Sequence, residues 1–237
     1  MNSLELKKVT KQFNKNIALN DINFSLPKSG IFGLLGTNGA GKTTLIGIIL
    51  GLIDATRGEI FVFEKKLSDF RYDILNKINF SSPYLDLPKK LTVEQNLYFY
   101  ARLYNVKNLE IINELSQELK ICDLLKKQFG SLSAGQKTKV GLCKALVNSP
   151  KLLLLDEPTS SLDPETSFFV RSFLKKYQKN KNISILTASH NMKEVEEICD
   201  RVIVLNKGEL LIDGIPKDLI QKYNTKNLEE FFLNIDK

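Results

Sequence analysis

The nine residues GTNGAGKTT, from Gly36 to Thr44, constrain this chain more than any other feature. They satisfy G-x-x-x-x-G-K-[ST]. They also lie between IFGLL, an apolar run suited to a buried strand, and TTLIGIIL, a run of helical length. A strand that turns through such a loop into a helix is one unit of a largely parallel sheet with helices on its faces. The glycines let the backbone wrap a phosphate chain without Cβ clashes. The loop's N–H groups and the helix N-terminus supply positive potential. Gly36, Thr37, Asn38, Gly39, Ala40, Gly41, Lys42, Thr43 and Thr44 are therefore the expected phosphate-binding loop of a nucleotide site. Lys42 is placed to reach the β and γ phosphates, and Thr43 to bind Mg²⁺.

The rest of the chain reads consistently with that unit. LELKKV and INFSL precede the loop as strands, and GEIFVF follows as another. From about residue 74 to 148 the periodicity turns helical: LTVEQNLYFYARLY with Thr92 as N-cap, then NLEIINELSQELKICDLL, then AGQKTKVGLCKALVN, whose helix is expected to begin near Gln136. Strands resume in KLLLLD, ISILTAS and RVIVLN, with a helix from Pro164 to about Lys179, and the tail reads as two short helices. With 237 residues and no repeat or linker, one domain is expected. Its ATPase core covers about 1–73 and 150–215, its helical subdomain about 74–149 and its tail 216–237. The fold class expected is α/β: a P-loop NTPase with a mostly parallel central sheet, an N-terminal antiparallel β portion and an inserted helical subdomain.

Composition mainly excludes. No apolar run approaches the ~18 residues of a membrane span. MNSLELKKVT lacks a signal-peptide core, so the chain is expected to stay in the cytosol. Cys122, Cys143 and Cys199 are scattered without a CxxC pair, which argues for reduced thiols and against a zinc site. The net charge is +7, but the lysines are spread without a dense basic block, so no direct nucleic-acid binding is expected.

Three further stretches carry chemistry. LLLLDEP delivers Asp156 and Glu157 to the ligand edge of a parallel sheet, Asp156 toward Mg²⁺ and Glu157 toward an attacking water. His190, the only histidine, follows ISILTAS to the same edge, where it can meet a γ-phosphate and the water near Glu157. In SLDPET, Asp163 caps a helix whose first residue is Pro164, and that local role accounts for it fully. LSAGQK, from Leu132, is a small-residue loop leading into a helix, built to hold an anion although the chain already has a phosphate loop.

GTNGAGKTT, LSAGQ, LLLLDEP, SLD and the single SH stand in the order and spacing of ATP-binding cassette (ABC) transporter ATPases, and the chain resembles that family over nearly its whole length. The resemblance implies two cassettes paired head to tail, with each ATP between one subunit's phosphate loop and the other's signature loop. It makes Leu132, Ser133, Ala134, Gly135 and Gln136 the signature loop for the partner's ATP. It also places Asp163 in a dimer loop, gives Glu157 and His190 catalytic roles, and matches Phe13 to an aromatic that stacks on adenine. GELLIDGIPKDLI and NLEEFFL resemble the tails of exporter-type (ABC-2-like) cassettes. The chain departs from the family at Ala134, where a glycine is usual, and in INFSSPYLDLP. There the usual Mg²⁺-touching glutamine falls on Ser82 or Pro83, which makes Ser82 a candidate metal-shell residue.

The function expected is an ATP-hydrolysing subunit that drives a separate permease. Its partners are a second cassette, in a homodimer, and that permease, at the cytoplasmic face of the cell membrane. ATP and Mg²⁺ are its cofactors, and its motion is passed on through the groove near residues 84–87. The alternative is a soluble cassette ATPase that acts on nucleic acid or ribosomes.

Overall fold

The computed structural model describes residues 1–83, 86–160 and 162–235. Strands β1 (Asn2–Phe13) and β2 (Asn16–Pro27) form an antiparallel hairpin. It leads through Lys28 and Ser29 into β3 (Gly30–Gly36), the phosphate loop and helix α1 (Lys42–Ile49). β4 (Arg57–Val62) and β5 (Lys65–Lys66) complete a four-stranded antiparallel sheet in the order β2-β1-β4-β5.

After α2 (Arg71–Leu75) comes β6 (Ile78–Ser81), and then helices α3 (Val93–Leu103), α4 (Glu110–Glu118) and α5 (Ala134–Leu146). The core resumes with β7 (Leu152–Asp156), α6 (Pro164–Lys181), β8 (Ser184–Ala188), α7 (Met192–Ile198), β9 (Arg201–Asn206) and β10 (Glu209–Gly214). The tail is α8 (Pro216–Lys222) and α9 (Leu228–Ile235). The second sheet has the order β10-β9-β3-β8-β7-β6, parallel throughout except for β10.

Two boundaries differ from the sequence reading. The segment 74–149 is not helical throughout, because Ile78–Ser81 pairs in parallel with Leu152–Leu155 as a strand of the second sheet. Four residues are too short for periodicity to tell strand from helix. α5 begins at Ala134, two residues before Gln136. Ser133 caps it: Gln136 N donates to Ser133 Oγ at 3.3 Å, and Ser133 N donates to Gln136 Oε1 at 3.1 Å. Thr92 and Gln95 make the same reciprocal box at the start of α3.

Alternation along the central strands sorts side chains to two cores. Leu152 and Leu154 of β7 pack with Leu45, Ile49 and the antiparallel sheet. Leu153 and Leu155 pack with α5, α6 and the helical segment. β8 and β9 divide in the same way, Leu186 and Ile203 to the first core and Ile185 and Val204 to the second. This is why KLLLLD shows no polar alternation: both faces of the strand are buried. Truncating one of these leucines to alanine costs about 2–5 kcal/mol. The rigid sheet holds the C-terminal ends of β3, β7 and β8 side by side, and the chemistry-bearing residues follow those ends.

Candidate active site

A cleft of about 1040 Å³ opens at that edge of the sheet. The phosphate loop forms its floor. Gly41 stands at the N-cap of α1 with φ 105°, and no side chain caps the helix. The N–H groups of the first turn therefore lack intrahelical acceptors and are available to an anion. A Cβ on Gly41 would come within 2.6 Å of Leu19 Cδ2 and 2.8 Å of Ala18 O, so the loop's path requires glycine there. Lys42 Nζ donates to Gly36 O at 2.7 Å and Thr37 O at 3.0 Å, folded back over its own loop. Burial lowers its pKa, opposed by the charges of Glu157 and Asp156.

Asp156 ends β7 and Glu157 follows it. Burial holds the Asp156 carboxyl above the usual carboxylate range. The charge of Glu157 raises it further, and Lys42 partly offsets both. Glu157 adopts a left-handed conformation, φ 51°, with its N–H donating to Ala188 O at 2.9 Å. That turn, costing on the order of 1–3 kcal/mol for a side-chain-bearing residue, swings the carboxylate away from the strand direction. Glu157 Oε1 stands 2.7 Å from His190 Nδ1. A ring nitrogen facing a carboxylate at that distance carries its proton and donates it, which leaves Nε2 for another partner. The Glu157 side chain is 15% exposed and that of His190 70%, so the pair presents its imidazole to the cleft.

The residues fit Mg²⁺ with a nucleotide. An acidic pair whose charge is only partly offset lies across the cleft from an anion-ready helix start, and Thr43 lines the same cleft. Thr43 and Asp156 would hold the ion, which when bound neutralises phosphate charge.

The structure brings together most of the residues singled out in the sequence. The phosphate loop apart from the buried Ala40, with Asp156, Glu157 and His190, borders one cleft. Phe13 sits at the end of β1, 45% exposed, with Lys11 Nζ 4.7 Å from its ring centroid; Ala18, not Phe13, lines the cleft. Ser82 and Pro83 border a separate groove of about 230 Å³ with Leu87, Ala134 and Thr138. Tyr84 and Leu85, named for the coupling groove, and Ser161 of SLD lie outside the described residues. Leu132 to Gln136 do not line the cleft; Ser133 and Ala134 are exposed, and Gly135 lies against Thr166. Asp163 caps α6 by accepting from Thr166 N at 2.9 Å.

Sequence reasoning missed two sets of residues. Asn191, Lys193, Glu229 and Phe232 also border the cleft, the last two because α9 packs along α7. The apolar spacing of NLEEFFL announces a packed helix but not its partner. The second set is Thr159, Arg171 and Glu194, which meet behind the cleft.

A glycine phosphate loop, an acidic pair ending a strand of the same sheet and a carboxylate-bound histidine at the same edge define a P-loop nucleotide hydrolase. The family model described as ABC transporter matches residues 19–160, and the chain belongs to that family, as an ATP-binding subunit and ATPase that uses ATP and Mg²⁺. It is 34% identical over 221 residues to the bacitracin transport ATP-binding protein BcrA of Bacillus licheniformis, covering 93% of this chain and 72% of that one. A solved ATP-binding subunit of an ABC transporter superposes with a TM-score of 0.89 at 25% identity, over 99% of both chains. CbiO1 of Clostridium perfringens, described as part of the ABC transporter complex cbiONQ, superposes with a TM-score of 0.82 at 27% identity, over 98% of both chains.

Proposed function

We propose that two copies of this chain, each a single nucleotide-binding domain, close head to tail on two ATP molecules. The closing pair drives a separate membrane-spanning permease from the cytoplasmic face of the membrane. The observation that carries this reading is the position of the signature loop. Ser133 and Asp163 are exposed at two adjoining helix starts, with Gly135 packed on Thr166 between them, and neither borders the chain's own cleft. A helix start exposed away from its own subunit's cleft suits an anion that another subunit brings. The γ-phosphate completes its contacts only when the pair is closed, so ATP shifts the population toward that state.

Within each site Glu157 orients the attacking water and His190 Nε2 meets the γ-phosphate. Phe13 stacks on adenine once the nucleotide is seated. A permease in another polypeptide agrees with CbiO1 being one part of a complex. The direction we propose is export, on the resemblance of GELLIDGIPKDLI and NLEEFFL to the tails of exporter-type cassettes.

Mixed dimers of Lys42→Ala and Ser133→Arg chains test the pairing. In the mixed dimer one site collects both defects and the other is intact, so it should occlude one ATP. A chain carrying both mutations, mixed with wild type, leaves one defect in each site and should occlude none. Equal occlusion in the two mixtures would mean that LSAGQ acts within its own subunit. Co-purification of a polytopic membrane protein from solubilised membranes tests the permease; recovery of nucleic acid in its place would refute it.

A further inference from the structure

Behind the cleft lies a half-buried ionic cluster that hydrolysis by Glu157 and His190 does not use. Arg171 of α6 donates through Nη1 to Glu194 Oε1 at 2.8 Å, and its Nε stands 3.0 Å from Glu197 Oε2. The Arg171 and Glu194 side chains are only 15% and 13% exposed. The second oxygen of Glu194, Oε2, accepts a short hydrogen bond from the Thr159 hydroxyl. Glu194 N donates to Asn191 Oδ1 at 3.3 Å, which caps α7.

The sequence positions of these groups matter. Thr159 lies two residues after Glu157, and Glu194 lies four after His190. The same two segments are thus tied twice. At the cleft, His190 meets Glu157 at 2.7 Å; one helical turn behind it, Glu194 meets Thr159. A single tie leaves α7 free to rotate about it, whereas two ties fix its first turn. Stability alone does not explain the cluster, because a buried ion pair is often no better than apolar residues of the same volume. A carboxylate with both oxygens engaged does supply direction.

We propose that Glu194, held by Thr159 and Arg171, is a positioning residue that sets His190 against Glu157. The proposal rests on the reading of Glu157 and His190 as the hydrolytic pair. Arg171 stands on the helix that Asp163 begins, so the seating of that helix reaches His190 through one ion pair and one hydroxyl.

Thr159→Val keeps the side-chain shape and removes the donor; Thr159→Ser keeps the donor. His190 is the only histidine in the chain, so its imidazole signals in a ¹⁵N-labelled sample are assigned without ambiguity. Thr159→Val is expected to lower kcat about tenfold with the KM for ATP unchanged within about twofold. Its imidazole signals should move away from wild type, and Thr159→Ser should match wild type in both readouts. On a His190→Ala background Thr159→Val should lower the residual rate no further. Wild-type kcat and unmoved imidazole signals in Thr159→Val would overturn the proposal. So would a loss of the same factor on the His190→Ala background. Wild-type turnover in His190→Ala alone would instead overturn the hydrolytic reading of His190, and the imidazole signals would still decide whether Glu194 places the ring. Should Thr159→Val not fold, Glu194→Gln is read in the same way.

Discussion

Gly41 and Gly39 lie two residues apart in one loop, and substituting alanine at each separates backbone strain from steric conflict. Gly41 has φ 105° and Gly39 φ 81°, both in the left-handed half of conformational space. Holding alanine there costs on the order of 1–2 kcal/mol at either position. Beyond that the positions differ. A Cβ on Gly39 meets nothing within 4 Å. A Cβ on Gly41 meets Ala18 O at 2.8 Å and Leu19 Cδ2 at 2.6 Å. Leu19 is fully buried, and Ala18 O belongs to the backbone of β2, so neither yields without moving the hairpin. Overpacking of that kind adds about 1–3 kcal/mol. Gly41→Ala should therefore lose about 2–5 kcal/mol and Gly39→Ala about 1–2 kcal/mol. Equilibrium urea unfolding followed by circular dichroism measures both. Equal losses, or a larger loss at Gly39, would refute the claim that contact with β2 shapes the phosphate loop.

Three other outcomes follow from the site. Lys42→Ala should reduce ATP turnover at least about 100-fold and weaken nucleotide binding, as measured by phosphate release and titration calorimetry; wild-type turnover would sink the phosphate-loop assignment. Asp156→Asn should stabilise the nucleotide-free protein at neutral pH. The folded carboxyl binds its proton more tightly than the unfolded one, whose ordinary value is 3.8, so wild-type stability falls as pH climbs from there through the raised folded value. The advantage of the variant should be present above that window and vanish near pH 3.8, and melting curves across pH read it directly. Ser82→Ala should leave the Mg²⁺ concentration for half-maximal hydrolysis unchanged, because Ser82 borders the second groove and not the cleft. A raised requirement would return Ser82 to the metal shell.

Much of this site was legible because its signals are local. The phosphate loop needs glycines at fixed offsets between a strand and a helix, and nine contiguous residues display all of that. Asp163–Pro164 and the Ser133-x-x-Gln136 spacing likewise announce helix starts from neighbours in sequence. Long-range pairing was not legible. Nothing near IFGLL indicates that β3 lies between β8 and β9, strands about 150 residues further on. Asp156, Glu157 and His190 could be placed at one sheet edge. That Glu157 turns left-handed to meet the histidine depends on the Ala188 carbonyl, which no motif encodes. Thr159, Arg171 and Glu194 come from three separate elements and look like ordinary surface residues until the fold buries them.

In the mechanism proposed above, Glu157 activates the water that attacks ATP bound at the phosphate loop. Its most direct test is Glu157→Gln, which keeps the size of the side chain and removes the base. Phosphate release is measured alongside light scattering in ATP and Mg²⁺. Hydrolysis should fall about 100-fold or more while ATP still binds, and a dimer should accumulate because the step that reopens it is blocked. Hydrolysis at the wild-type rate would contradict the account, as would a variant that stays monomeric in ATP where the wild type dimerises.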